Sequence, residues 1–466
     1  MTHVINRLQF ELNCTDEEQA FHFRQNFGIT FQEQIIDASD EICSNHVPED
    51  EWIKIEKLEI NLGQFSAAAF DLNFSSVFKV KFEKALVDKL SNIPSSQKRE
   101  SFLVSKIELL KHFLQTGTLP WWATEQETDI NEIICELITN HPEKITPFFY
   151  HHQFKKNLWT RVAFQLNEEA KTKLILLIPI LKAIKELFVK WIQQLNIFLK
   201  NENVAAINIV GAPIDNIILG NAPQIFQHQD DPGIYLEIFR NTITSIASQC
   251  KPAIDKIISN SQSDFINVFN NMTNDFANQQ ISVKTDAQLQ LSEADDEETA
   301  TDKYAVKHAG IILLSPFLKS FFTNLQLLNG KEWKNKNSQY KAVHLLKFLT
   351  TGEQKTFEYN LTLEKIMCGL NIEEPIPLEI LLEEHETNEA IQLLESVIEH
   401  WKAIKNTSVS GLRESFLKRE GILTQKGNGW LLQVERKTLD ILIDSIPWGY
   451  STITFSWNEY LIFVEW

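Results

Sequence analysis

The chain has 466 residues, 43% of them hydrophobic, with 11 Trp, 31 Phe and a formal net charge of -18. That length and apolar content are enough for more than one core and exclude a disordered chain. The acidic balance excludes a general phosphate-backbone binder, which needs clustered Lys and Arg to release counterions, so no nucleic-acid partner is expected.

The opening residues, MTHVINRLQFELNC, lack the basic and apolar segments of a secretory leader. The longest apolar run, Leu174–Leu181, is far shorter than the ~20 residues of a membrane-spanning helix. Neither a signal peptide nor stable membrane insertion is expected, and the expected location is the cytoplasm. Cys14, Cys43, Cys135, Cys250 and Cys368 are scattered and never spaced C-x-x-C, which predicts free thiols.

Leu8, Phe10 and Leu12 alternate with polar residues, as a half-buried strand does. Thr15 and Glu18 then form a T-x-x-E capping box ahead of Phe23, Phe27, Phe31 and Ile35 at helical spacing. Trp52–Leu62 reads as a second strand whose parity changes between Ile55 and Leu58, predicting a bulge near Glu56-Lys57. Phe78, Phe82, Ala85 and Leu86 predict a further helix before the Ser91–Ser96 linker.

From Gln97 to Leu199 the pattern is helical throughout. Phe102, Ile107, Leu110 and Phe113 form a stripe ending at Gly117, where a C-terminal cap is expected. Short connections after Gly117, at His141-Pro142 and near Asn167 imply antiparallel helix pairs, and Pro179 either kinks a helix or begins a new one. The amphipathic Lys182–Lys200 stretch fits a bundle helix or, alternatively, a membrane-surface helix.

Residues 200–303 are richer in Asn, Gln, Ser and Asp, and 285–303 is an acidic stretch poor in large apolar residues, expected to be a flexible linker. Tyr304 onward is helical to near Leu423 and then strand-rich. Leu432, Val434 and Arg436 are placed on one strand face, and Ile453, Phe455 and Trp457 on another. A turn at Trp457–Tyr460 pairs the latter strand with Leu461–Trp466 as a hairpin.

The expected fold class is α+β and predominantly helical, with a strand–helix–strand unit (1–92), a domain of helix pairs (97–199), a variable region (200–303) and a helical domain ending in β-strands (304–466). Two echoes cross this division. LLKHFLQTG at Leu109–Gly117 matches LLKFLTTG at Leu345–Gly352, and LPWW at Leu119–Trp122 matches IPWG at Ile446–Gly449. Duplication and independent helix-end chemistry both account for them.

Catalytic signatures are lacking. Cys135, His141, His151 and His152 fit no common zinc spacing, so no metal or cofactor is expected. Ser408-Val409-Ser410-Gly411 lacks the first glycine of G-x-S-x-G, Cys368 has no local activating partner, and no phosphate-cradling glycine motif occurs. Glu373-Glu374 and Glu383-Glu384 read as solvated helix faces.

Several blocks taken together resemble one family. They are HVINRLQFEL and Val47–Gly63 at the N-terminal end, LLKHFLQTGTLPWWA (Leu109–Ala123), Lys307–Phe322, Ala342–Gly352, Lys365–Leu370, His400–Gly421, and the IPWG-to-VEW end. In this order they resemble the tape measure proteins of contractile injection systems, phage-tail-like particles with a sheath and an inner tube. The resemblance fades across about Lys200–Lys303.

The resemblance implies a non-enzymatic structural role. Such a protein lies in the assembling inner tube, contacts inner-tube and baseplate or spike proteins, and helps set tube length. It would be cytoplasmic during assembly and within the particle afterwards, and a homo-oligomer is left open. A soluble scaffold or chaperone for tube or baseplate subunits is the alternative. A fully helical chain would reach ~700 Å, but Pro, Gly and strand signals break this one repeatedly. Measuring is therefore placed between compact ends, with insertions near Gln279–Lys303 expected to change tube length. Trp121, Trp122, Trp448 and Trp466 are the candidate partner contacts, with packing inside one subunit as the competing reading.

Overall fold

A computed structural model describes residues 34–47, 57–64, 67–92, 95–123, 128–201, 212–229, 231–246 and 303–466 except 379, with single positions among 3–13 and at 53 and 55. The T-x-x-E box, most of the first predicted helix and the acidic 285–302 stretch lie outside these residues. Contacts divide the chain into two compact units. One comprises Met1–Leu110 and Leu119–Thr128, the other Lys111–Thr118 and Asp129–Trp466.

In the first unit residues 34–46 are helical (α1), followed by α2, Ala67–Ser91. Their spacing explains their packing. Phe74, Phe78, Phe82 and Leu86 recur every four residues on α2 and meet Ile35, Ala38 and Ile42 of α1 in one buried cluster. Phe74–Phe78 and Phe78–Phe82 stack with ring centroids 5.9 and 5.4 Å apart.

The expected strand–helix–strand arrangement is not present among the described residues of this unit, which carry no strand. Phe10, Ile55, Leu58, Ile60 and Leu62 nevertheless pack against the cluster. The apolar alternation marked a side facing the core without a ladder to go with it. Glu56, half of the predicted bulge, lies outside the described residues.

Helix α3, Ser95–Thr116, carries residues of both units. The second unit continues through α4 (Ile130–Asn140), α5 (Pro142–His151), α6 (Lys156–Gln165), α7 (Glu168–Leu177), α8 (Pro179–Asn201), α9 (Ala212–Gly220), α10 (Ala222–Gln227) and α11 (Pro232–Ile246). Local chemistry sets the boundaries. The Asp129 carboxylate accepts from Asn131 N and Glu132 N, Pro142 opens α5, and the Asn167 side chain accepts from Ala170 N. Ile178 is extended, so Pro179 begins a new helix and does not kink one.

Helix α8 turns Leu187, Phe188, Trp191 and Ile192 inward, and Trp191 meets Phe239 of α11 edge-on at 5.0 Å. It is a bundle helix. The packed helices run on past Leu199, with Ile214, Ile218, Ile225, Phe226 and Phe239 buried.

The rest of the second unit begins with β1 (Lys303–Val306), a 3₁₀ turn Ala309–Leu314, α12 (Ser315–Asn324) and a small hairpin of β2 (Leu328–Asn329) with β3 (Glu332–Trp333). It continues with α13 (Lys336–Thr351), the turn Glu358–Asn360, α14 (Thr362–Met367), α15 (Glu384–His400) and α16 (Val409–Leu412) running into a π-helical turn to Leu417. Then come β4 (Gly421–Lys426), β5 (Gly429–Val434), the 3₁₀ segment Thr438–Ser445, β6 (Thr452–Ile453) and β7 (Leu461–Glu465).

The larger sheet has the order β1-β4-β5-β7-β6. Leu423, Leu432 and Val464 lie in register, as do Trp430, Ile462 and Ile453, and all six are buried on one face. The terminal hairpin is present in reduced form. β6 pairs antiparallel with β7 over two residues, and β7 also pairs in parallel with β5, a contact that alternation does not reveal. Arg436 lies beyond the end of β5, and Trp457–Tyr460 docks on α14 through Trp457 Nε1 to Met367 O, 3.1 Å.

Candidate functional site

The most highly constructed site in the second unit is a buried junction between the helical bundle and the part beginning at β1. It starts at the end of α3. The last carbonyls of a helix have no partner within it, and Gly117, at φ +78°, closes this end with its N–H on Phe113 O, 2.8 Å. Arg161, from α6, donates through Nη1 to Leu114 O at 2.7 Å and Gln115 O at 3.0 Å.

The other edge of the guanidinium grips Glu358. Nε lies 2.9 Å from Oε2 and Nη2 3.0 Å from Oε1, a bidentate pair, and Nη2 also reaches Glu373 O at 2.6 Å. Lys365 of α14 donates to Glu358 Oε1 at 2.5 Å and to Ile372 O at 2.7 Å. Gln165 completes the junction by accepting from Glu358 N at 2.9 Å and donating to Ile376 O at 2.5 Å.

Arg161 and Glu358 are wholly buried and Lys365 is 1% exposed. One carboxylate thus faces two cations, and the backbone carbonyls take up the surplus donors. This matters because a buried charge without partners costs several kcal/mol. Burial pushes the Lys365 ammonium below its ordinary pKa, and the nearby Glu358 carboxylate works against that shift. Gly117 is part of the same construction, since a Cβ there would lie 2.2 Å from Glu358 Oε1.

The matching segment Leu345–Gly352 repeats this helix end. Gly352, at φ +80°, closes α13 with its N–H on Phe348 O at 2.8 Å, and Arg413 donates to Phe348 O at 3.0 Å and Leu349 O at 2.9 Å. Aligned on the glycines, Phe113 and Leu114 correspond to Phe348 and Leu349. Both segments are helix ends clamped by an arginine from elsewhere in the chain.

Two further polar centres hold the sheet-bearing part together. His308 Nδ1 lies 2.8 Å from Glu364 Oε1 and its Nε2 3.2 Å from Lys347 Nζ, all three residues being buried. Arg419 donates to Asp440 Oδ1 at 2.6 Å, and Trp466 Nε1 donates to Asp440 Oδ2 at 3.0 Å. Trp466 meets Tyr450 edge-on, and Trp448 donates to Leu313 O at 3.0 Å while packing against Phe317. Trp448 and Trp466 are therefore engaged within the subunit. Trp121, in the first unit, is 51% exposed, and Trp122 is half-buried.

The residues weighed for catalysis are not brought into a reactive arrangement. Cys368 is fully buried, and burial raises its thiol pKa well above the ordinary value, the opposite of an activated nucleophile. Ser408 is an N-cap whose Oγ accepts from Gly411 N. His152 donates from Nδ1 to Phe148 O and accepts at Nε2 from Gln115 Nε2, and burial lowers its pKa. Among the described residues no group of three His, Cys, Asp or Glu is placed to hold a metal. An open groove of about 740 Å³ runs along the ends of β5 and β7, lined by Arg436, Tyr450, Glu465 and Trp466 among others.

This chain is built for fixed internal joints, and comparison with known proteins says in what setting. The family model described as contractile injection system tape measure protein matches residues 2–466. The chain belongs to that family. No curated protein and no solved structure matches it.

A tape measure protein of such a system is a structural component associated with tube and baseplate proteins. Among the described residues of this member, no helix is long and apolar enough to cross a membrane. Its junction residues escaped sequence reasoning. Arg161, Glu358 and Lys365 belong to no motif, and the available signal was a set of charges inside apolar runs, as in Leu361–Leu370 (LTLEKIMCGL). Glu373-Glu374 was read as a helix face but lies in the loop after α14, where Glu374 accepts from Tyr340. Glu383 is the N-cap of α15, in a capping box with Glu386.

Proposed function

We propose that this protein acts as the ruler of its injection particle. It lies in the inner tube as tube subunits polymerise, docks at the baseplate or spike end, and helps set tube length without catalysing a reaction. The observation that carries this reading is the family match across residues 2–466. A protein whose buried polar groups are spent on internal joints suits a part that must keep its shape.

The four-part division of the chain and assembly in the cytoplasm belong to this reading. Of the four candidate contact tryptophans, Trp121 offers the largest open surface and is our choice for contact with a tube or baseplate subunit. Trp122, Trp448 and Trp466 remain candidates for contact with less open surface, Trp448 and Trp466 being hydrogen-bonded within the subunit.

Mass spectrometry of purified particles and micrographs of particles assembled without the protein test the proposal. A ruler remains in the mature particle, and tube lengths scatter or tubes are lost when it is missing. Absence of the chain from mature particles would favour an assembly chaperone, and an unchanged length distribution would remove the ruler.

A further inference from the structure

The larger sheet has two faces, and the core uses one of them. Strand alternation turns Leu423, Leu432, Ile462 and Val464 toward the core and the residues between them to the opposite face. The pairing register lays that opposite face out in rows. Ala305, Ile422, Gln433 and Glu465 form the first row, and Lys303, Thr424, Leu431 and Phe463 the second. Lys426, Gly429 and Leu461 form the third.

A sheet face turned to water ordinarily carries polar residues. Here Ile422 is 45% and Phe463 42% exposed. Phe463 lies beside Leu431, and Ile422 lies diagonally across from it. Among the described residues none of these three belongs to the core cluster behind the sheet. They form an apolar centre on the outward side.

Charge on this face is divided between its two sides. Lys303 on β1 and Lys426 on β4 stand on one side and Glu465 on β7 on the other, all exposed. Such a face is complementary to itself. Turned over about a twofold axis running along β5, Leu431 meets its own copy, and β1 of each chain lies over the β6–β7 side of the other. Lys303 then comes within one strand and one row of Glu465 of the second copy, about 8 Å sideways, which two long side chains can span. A twofold axis across the strands would instead set Lys303 over Lys303, so charge selects the first arrangement.

We propose that this face binds a second copy of the chain, sheet on sheet, as a weak reversible dimer. The size of the face sets the strength. Five strands about 4.8 Å apart, with three outward rows about 7 Å apart, span roughly 500 Å² per copy. The total of roughly 1,000 Å² falls in the range of weak complexes and below that of permanent dimers. Apolar contact supplies the attraction, and the Lys303–Glu465 pairs fix how the copies face each other. The dimer stands independently of the ruler reading.

Sedimentation equilibrium of the full chain across the micromolar range tests it. Monomers are expected at the dilute end and dimers at the concentrated end. Phe463→Glu is expected to weaken association about tenfold or more, with an unchanged far-ultraviolet circular dichroism spectrum. Ile422→Lys gives the same reading should Phe463→Glu misfold. Lys303→Glu and Glu465→Lys are each expected to weaken association about threefold to tenfold, and the double variant to recover it. Mere damage to strand packing would not be reversed in this way.

A chain that stays monomeric throughout overturns the proposal, as do dimers untouched by both apolar variants or a double variant no better than the singles. A monomer that floats with anionic vesicles, and ceases to on Ile422→Lys or Phe463→Glu, would assign the face to lipid and overturn it as well.

Discussion

The ends of α3 and α13 are the same device put to two uses. Each closes on a left-handed glycine, and each has its last carbonyls taken by an arginine from elsewhere in the chain. At α13 the arginine stays half-buried, stacks over the Phe348 ring at 5.5 Å, and completes one helix end. At α3 the arginine is fully buried and also holds Glu358, so the same cap fastens the bundle to the sheet-bearing part. One added carboxylate separates a local cap from a long-range joint. Desolvation raises the stakes, because a fully buried charge that loses its partner finds no water to replace it.

The comparison can be broken at several points, beginning with the largest effect. Glu358→Gln keeps the shape but leaves Arg161 and Lys365 without a countercharge. A loss of about 3–5 kcal/mol is expected in urea unfolding. Gly117→Ala follows at about 2–4 kcal/mol, combining a left-handed backbone that disfavours a Cβ with displacement of the Glu358 carboxylate. Gly352→Ala is expected to cost about 1–2 kcal/mol, because its Cβ meets only the far end of the half-buried Arg413 side chain and no buried carboxylate. Equal losses for the two glycine variants would mean that the two ends do not differ as argued.

Arg413→Met removes two hydrogen bonds to carbonyls and is expected to cost about 1 kcal/mol, well under Glu358→Gln. The smallest effect lies beside the junction. Burial, then the hydrogen bond from its hydroxyl to Glu374, raises the Tyr340 pKa above the ordinary value near 10. The folded state favours the neutral phenol, so this contribution to stability is present below pH about 10 and is lost as pH rises further. Burial also raises Tyr150 and Tyr450, so ultraviolet titration should show several tyrosines ionising late in the native protein, and Tyr340→Phe should remove the latest of these steps.

Much of this was legible locally. The stripe ending at Gly117, the break near Asn167 and the four-residue spacing of Phe78, Phe82 and Leu86 depend on neighbours a few residues away, which periodicity records, whereas Pro179 by itself fits a kink as well as a helix start. The α+β class with a strand-rich end was legible for the same reason. The junction was not, because Arg161 and Glu358 are 197 residues apart and nothing in either local pattern names the other. Nor was the parallel pairing of β5 with β7, since alternation reports which side of a strand is buried and not which strand lies beside it. Leu58, Ile60 and Leu62 show the reverse case, in which the burial was read correctly and the strand did not follow.

The place of β7 bears on how the protein is made. It is the latest strand in chain order, yet it sits inside the sheet between β5 and β6. While the chain emerges from the ribosome, β1, β4 and β5 can pair, but β5 keeps an open edge and Trp430 and Leu432 lack the cover of Ile462 and Val464. Such an edge invites pairing with another nascent chain until the final strand arrives. The sheet therefore closes only after β7 has been made, and the β5 edge stays exposed for as long as β7 is missing.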